Sequence, residues 1–236
     1  MIKVVSFKIC PFVQRVTAVL EAKNVPYEVD YISLSDKPDW FLRLSPTGQV
    51  PLLLTGEGTA LFESDAIVEY LDEITAPLQP GLTPETRAIH RAWGYQATKH
   101  YLVQCAAMQI TGKRTLDDRM VKLDAALRKV ETHLGSGSFF SGESLGNVDM
   151  AWLPLLHRAA LVERHSGYDM LAAYPKVKAW QQAVLATGIA QRSVPDDFTE
   201  KFSAFYLSER TWLGRGAKLN EASLGNAQAI GGGCCG

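Results

Sequence analysis

The sequence predicts an α+β protein, a small βαβαββα unit followed by an all-helical one. Three observations lead there. Short β-branched runs alternate with helix-like periods through the first 75 residues, and helical periods alone follow. Between them Ala76-Pro77-Leu78-Gln79-Pro80-Gly81-Leu82-Thr83-Pro84 carries three prolines and a glycine, the composition of a linker. A chain of 236 residues has length for one domain or two. The expected division is 1–76, a linker at 77–84, a helical unit at 85–208 and a flexible tail at 209–236.

Each element has a local reason. Ile2-Lys3-Val4-Val5-Ser6 is short and β-branched, hence a strand. Pro11 opens a helix, because the N–H that proline lacks is unpaired in a first turn anyway. Phe12, Val16, Val19 and Leu20 share one side of it, and Asn24 ends it. Tyr27-Glu28-Val29-Asp30-Tyr31 alternates in polarity and reads as a second strand. Asp36 to Leu44 reads as a short helical or irregular segment. Leu52–Thr55 and Thr59–Phe62 flank Gly56-Glu57-Gly58, the pattern of a hairpin. Ser64 is expected to cap the next helix, with Ile67, Val68 and Leu71 inward and Asp65 complementing the dipole. Beyond the linker, helices are expected over 85–112, 116–134, 149–162, 174–186 and 196–207.

Composition excludes several classes. Apolar residues make up 47% and charged residues 21%, so most of the chain can bury a core. The longest apolar stretch, Ala151 to Val162, is interrupted by Pro154, His157 and Arg158, and nothing is long enough to cross a membrane. A net charge of −1 supplies no broad basic field for nucleic acid or anionic lipid. Cysteines at 10, 105, 234 and 235 form neither a disulfide framework nor a paired zinc site, so no metal is expected. The N-terminus lacks the apolar core of a secretory signal, which points to a reducing cytoplasm.

Chemistry concentrates at Cys10-Pro11-Phe12-Val13. A sulfur between a strand end and a helix start meets unpaired N–H groups and the positive end of the helix dipole, and both favour thiolate. The competing reading is a small apolar residue closing a turn. Position 13 is valine, so no second thiol lies one turn on, and any adduct needs an outside thiol to resolve it. Pro51, ahead of Leu52-Leu53-Leu54, marks a strand's first residue; read alone, its peptide bond is expected to be trans. Glu63-Ser64 stands at a helix start, and on local grounds is a plain cap.

Taken together, Cys10-Pro11-Phe12, Lys37-Pro38-Asp39-Trp40-Phe41, Ser45-Pro46-Thr47-Gly48-Gln49-Val50-Pro51 and Glu63-Ser64-Asp65-Ala66-Ile67 resemble, in that order, the cytosolic glutathione transferases. The chain is most similar to their cysteine-bearing, omega-type branch. The resemblance spans about residues 2–207 and is strongest in 1–75. It implies a thioredoxin-like first domain, glutathione as co-substrate and a homodimer. It implies that Cys10 faces the glutathione sulfur and that Pro51 is cis, turning Val50 so that its N–H and C=O pair with the cysteinyl unit. Ser64 would meet the γ-glutamyl carboxylate, Glu63 the γ-glutamyl ammonium and Lys37 the glycine carboxylate, while Phe12 and Leu34 line the thiol end. Each charge of the tripeptide then has an opposite or dipolar partner, as burial demands.

One departure concerns position 146. The resemblance implies Ser or Thr three residues before Asp149, yet Gly146 stands there, which leaves Asn147 as the alternative cap. Cys105 is expected to be a packed thiol, Trp152 and Trp180 to be core, Arg15 to sit on a solvated helix face, and the five histidines to be unremarkable. Cys234 and Cys235 read as incidental thiols of a tail. The expected activity is glutathione-dependent thiol transfer or reduction through a Cys10 mixed disulfide, on a small disulfide or electrophile. Related chemistries are deglutathionylation, dehydroascorbate reduction and dehalogenation. The rivals are a non-catalytic binding module of the same fold and a conjugating transferase using Ser6 or a tyrosine.

Overall fold

The computed structural model describes residues 1–216. The first 74 residues form β1 (Ile2–Ser6), α1 (Pro11–Ala22), β2 (Tyr27–Tyr31), α2 (Asp39–Leu44), β3 (Leu52–Leu54), β4 (Ala60–Phe62) and α3 (Ser64–Ile74). The helical part comprises α4 (Pro84–Met108), α5 (Lys113–His133), α6 (Asn147–Ser166), α7 (Pro175–Ala186), α8 (Ile189–Arg192) and α9 (Phe198–Tyr206). The four-residue α8 has no counterpart in the sequence reading; one helical turn is too short to show a period.

The sheet runs β2-β1-β3-β4, with β1 and β2 parallel and the other neighbours antiparallel. The register pairs Ser6 with Tyr31, Val5 with Leu52 and Leu52 with Phe62. The ends of β1, β2 and β4 and the start of β3 therefore lie along one edge. From that edge leave the Cys10 turn, the segment carrying Leu34 and Lys37, the approach of Val50-Pro51, and Glu63-Ser64. Four stretches far apart in sequence meet because of strand direction alone.

The helix α1 is buried from Pro11 to Leu20 except for Phe12, which is half-buried. Val13, Val16, Val19 and Leu20 join the core, and each such side chain contributes roughly 1.5–3 kcal/mol when fully withdrawn from water. Its polar side chains are buried too, and they bind other elements. Gln14 reaches His157 (2.9 Å), Thr17 donates to the Ser193 carbonyl (2.7 Å), and Arg15 pairs with Asp65. Arg15 is thus not on a solvated face, as the sequence suggested. Periodicity marks the more apolar side of a helix, but it cannot show that a second domain covers the other.

Asn24 ends α1 in the left-handed region (φ 52°), a conformation asparagine tolerates better than most residues. At α6, Asn147 does not cap: its Oδ1 is buried without a partner. Asp149 closes the turn instead, accepting from the Gly146 N–H (2.7 Å). A Cβ at Gly146 would stand 2.4 Å from Gln79 Oε1, so glycine there lets the linker lie close. The expected tail also needs correction. Thr211, Trp212 and Leu213 are buried, and the Trp212 N–H donates to the Ile110 carbonyl (2.7 Å). A Cβ at Gly214 would lie 1.8 Å from the Ser208 carbonyl oxygen, so the glycine there serves a tight return rather than looseness. Cys234 and Cys235 lie outside the described residues.

Candidate active site

Cys10 is a free, half-buried thiol at the N-cap of α1. Its backbone N–H donates to the Phe7 carbonyl (3.0 Å), and its carbonyl accepts from Gln14 (3.1 Å), which fixes the turn. Burial pushes the thiol above its ordinary range. The Val13 and Phe12 N–H groups and the Arg158 guanidinium oppose that rise. The expectation of a lowered value is overturned: the dipolar help is present, but burial among apolar and aromatic groups outweighs it.

Those surroundings are what sequence reading missed. Phe12 packs edge-on against Tyr101, with ring centroids 5.0 Å apart. Tyr101, Cys105 and Tyr206 come from α4 and α9 and, with Arg158 of α6, make up Cys10's electrostatic surroundings. Cys105 is buried, as expected of a packed thiol. A signal for Arg158 did exist: it breaks the longest apolar stretch of the chain, where a cation needs a reason to be.

The predicted ligand set sits along the sheet edge with its bonding capacity unused. The Val50-Pro51 bond is cis. Pro51 is buried and Val50 half-buried, and neither the N–H nor the C=O of Val50 enters a hydrogen bond among the described residues. Ser64 is buried as the first residue of α3 rather than its cap, and its hydroxyl closes no bond within the described chain. Glu63 precedes it with φ 65°, a strained conformation for a residue with a Cβ. Glu63 and Lys37 form no ion pair among the described residues. Leu34 is exposed in the segment between β2 and α2.

Two hollows adjoin the sulfur's turn. One of 580 Å³ reaches Cys10 from the side of β2 and α8, lined by Val13, Gln14, Thr17 and Tyr31 among others. Another of 560 Å³ lies between Phe7-Lys8-Ile9 and Ala204-Phe205 of α9. Neither lining includes Pro51, Glu63 or Ser64. Two of the hydroxyls near the turn are engaged within the protein: Ser6 donates to the Phe7 carbonyl (3.1 Å) and Tyr101 to the Ala151 carbonyl.

Comparison with known proteins bears on the family of the chain. Residues 9–74 match the family described as "Glutathione S-transferase, N-terminal domain", and residues 114–183 match "Glutathione S-transferase, C-terminal domain". A curated rice protein, "Probable glutathione S-transferase DHAR1, cytosolic", is 31% identical over 75% of this chain and 80% of its own. The pig protein "Glutathione S-transferase omega-1" is 30% identical over 78% and 77%. Among solved structures, a rice glutathione transferase in complex with glutathione superposes with a TM-score of 0.75 at 26% identity, over 87% of this chain and 94% of that one. The Omega 3C transferase of Trametes versicolor gives 0.71 at 24%, over 83% and 89%, a likeness of fold. With both domain families matched in order and curated relatives at 30% identity or more across most of their length, this chain belongs to the glutathione S-transferase family, on its cysteine-bearing, omega-like side.

Proposed function

We propose that the protein is a glutathione-dependent thiol transferase and reductase that works through Cys10. One observation carries this: the groups left unpaired along the sheet edge correspond one for one to what a glutathione molecule needs. The Val50 amide and carbonyl suit the cysteinyl backbone. The Ser64 hydroxyl and the free N–H groups that open α3 suit a carboxylate. Glu63 suits an ammonium, and Lys37 a second carboxylate. Cys10 supplies the sulfur nucleophile at the same edge.

The cycle is thiol–disulfide exchange. Cys10 thiolate attacks the glutathionyl sulfur of a mixed disulfide. The S–S bond breaks, and the other sulfur leaves as a thiolate that takes a proton. Cys10 then carries glutathione. A second glutathione thiolate attacks that glutathionyl sulfur, releasing glutathione disulfide and restoring Cys10 thiolate. Valine at 13 leaves the turn without a resolving thiol, consistent with resolution by an outside one. Dehydroascorbate and small mixed disulfides are the first substrates to test. We place the enzyme in the cytoplasm, as the rice relative's description as cytosolic supports, and as a homodimer, as the family resemblance implies.

The test is incubation with glutathione disulfide followed by intact mass. The expected result is one glutathionyl adduct, absent in Cys10→Ser when Cys234 and Cys235 are also replaced. No adduct, together with no heat of glutathione binding, would assign the fold a binding role instead.

A further inference from the structure

We propose that the Arg158 guanidinium, delivered from α6 of the helical domain, is the fixed positive charge that eases ionisation of Cys10 against the burial of its turn. The proposal deepens the glutathione-transferase reading and rests on it for its role in catalysis, though not for its test. Arg158 is fully buried. It donates from Nη2 to the carbonyl of Ile9 (3.0 Å), the residue immediately before Cys10. From Nη1 it donates to the Pro154 carbonyl (3.0 Å) and to Gln14 Oε1, one turn into the helix that Cys10 opens. Its plane lies over Phe198, 5.5 Å from the ring centre.

Every one of these partners is neutral. Among the described residues no carboxylate pairs with Arg158, and its Nε is buried with no acceptor. A guanidinium stays charged in proteins, and a buried cation without an anion costs several kcal/mol. Such a cost persists in a fold when the anion arrives in the working state. The groups near it able to become anions include the thiols of Cys105 and Cys10 and the phenols of Tyr206 and Tyr101. Of these, only Cys10 is free at the edge where substrate binds. Arg158 is a full positive charge acting on that sulfur against the effect of burial. It touches no reacting atom and is a positioning residue: pinning the Ile9 carbonyl fixes the distance between charge and sulfur across the domain boundary.

A purely structural pin would need only donors, not charge, and this separates the two roles. The measurement is the pH midpoint of alkylation by iodoacetamide, read by mass on the Cys10 peptide so that other thiols do not contribute. Arg158→Met should move the midpoint upward by about one unit or more. Thiol-transfer rate at neutral pH should fall about tenfold per unit and recover as pH is raised. Arg158→Lys, which keeps the charge and loses the fork, should lie nearer the parent protein. Circular dichroism confirms folding. If Arg158→Met does not fold, Arg158→Gln, whose amide can still donate to Ile9, takes its place and should shift as far. A folded neutral variant with an unchanged midpoint, or a lysine variant shifted as far as methionine, would overturn the proposal. Alkylation uses no glutathione. A midpoint shift in a protein that accepts no glutathionyl group would therefore sink the transferase reading and leave the role of Arg158 standing.

Discussion

Four helix starts of the molecule show two contrasting arrangements. At α6 the Asp149 carboxylate takes the Gly146 N–H (2.7 Å), the Phe140 N–H (2.8 Å) and the Trp180 indole N–H (2.7 Å). At α7 the Glu131 carboxylate takes the N–H groups of Lys176 (3.1 Å) and Val177 (2.9 Å). These ends are sealed by the chain's own anions. At α1 and α3 no side chain closes a cap bond, and the residues there are a thiol and a serine at the binding edge. Helix N-termini attract negative charge wherever they occur. At these four ends the contrast is that α6 and α7 take a capping carboxylate from the chain itself, while the first-turn N–H groups beside Cys10 and Ser64 take no side-chain cap.

The sharpest way to break the contrast is to exchange consequences. Cys10→Ser should abolish the glutathionyl adduct and lower thiol transfer by on the order of 10³-fold or more, while the melting temperature stays put. Asp149→Ala should do the reverse. It strands three buried donors at a cost of about 3 kcal/mol or more, roughly 6–12 °C in melting temperature for a protein of this size. Protein that remains folded should still accept glutathione at Cys10. Asp149→Ala protein that melts normally but fails to take the adduct would show that the sealed and open ends are not separate in function.

The open ends were legible in the sequence and the closure around them was not. Cys10-Pro11 announces itself because proline fixes a first turn and cysteine stands where a cap should be. The strand pattern then gives the register that brings Val50-Pro51 and Glu63-Ser64 beside it. Gly146 was read as a weak cap, yet the group that compensates lies at Asp149 and in the Trp180 side chain, and the latter contact crosses 31 residues. Local rules see caps within one turn and miss those made across the core. Arg15 and Arg158 were lost for a related reason. Both are buried cations, and burial on the polar side of α1 depends on a second domain whose packing no period encodes.

A smaller effect tests the ligand half of the open set. Ser64→Ala removes one donor to a charged group, worth about 1.5–3 kcal/mol. Glutathione KM should rise roughly 10–100-fold at nearly constant kcat under saturating glutathione. Lys37→Ala should act likewise but more weakly, because half-exposed charges are screened by water and salt. A loss in kcat with unchanged KM for Ser64→Ala would place the serine at the reacting sulfur and not at the γ-glutamyl end.

The least of the expected effects lies beneath the open end of α1. His157 of α6 is buried against Gln14 and stacked on Phe198, 5.3 Å between ring centres. Burial, aided by the nearby charges of Arg158 and Arg164, pulls it from 6.5 to about 3. The folded chain therefore keeps the imidazole neutral through a range in which the unfolded chain protonates it. Between about 6.5 and about 3 the unfolded state holds the extra proton, so stability falls as pH falls, by up to about 1.4 kcal/mol per unit from this group. Above that range the group has no influence. His157→Phe should shift stability by a constant amount, since Gln14 loses a partner, and should flatten the urea-unfolding profile by one proton in that window. Parallel profiles for the two proteins would mean that the interior under α1 accepts a second cation beside Arg158. The neutral surroundings that make the guanidinium's charge available to Cys10 would then be lost.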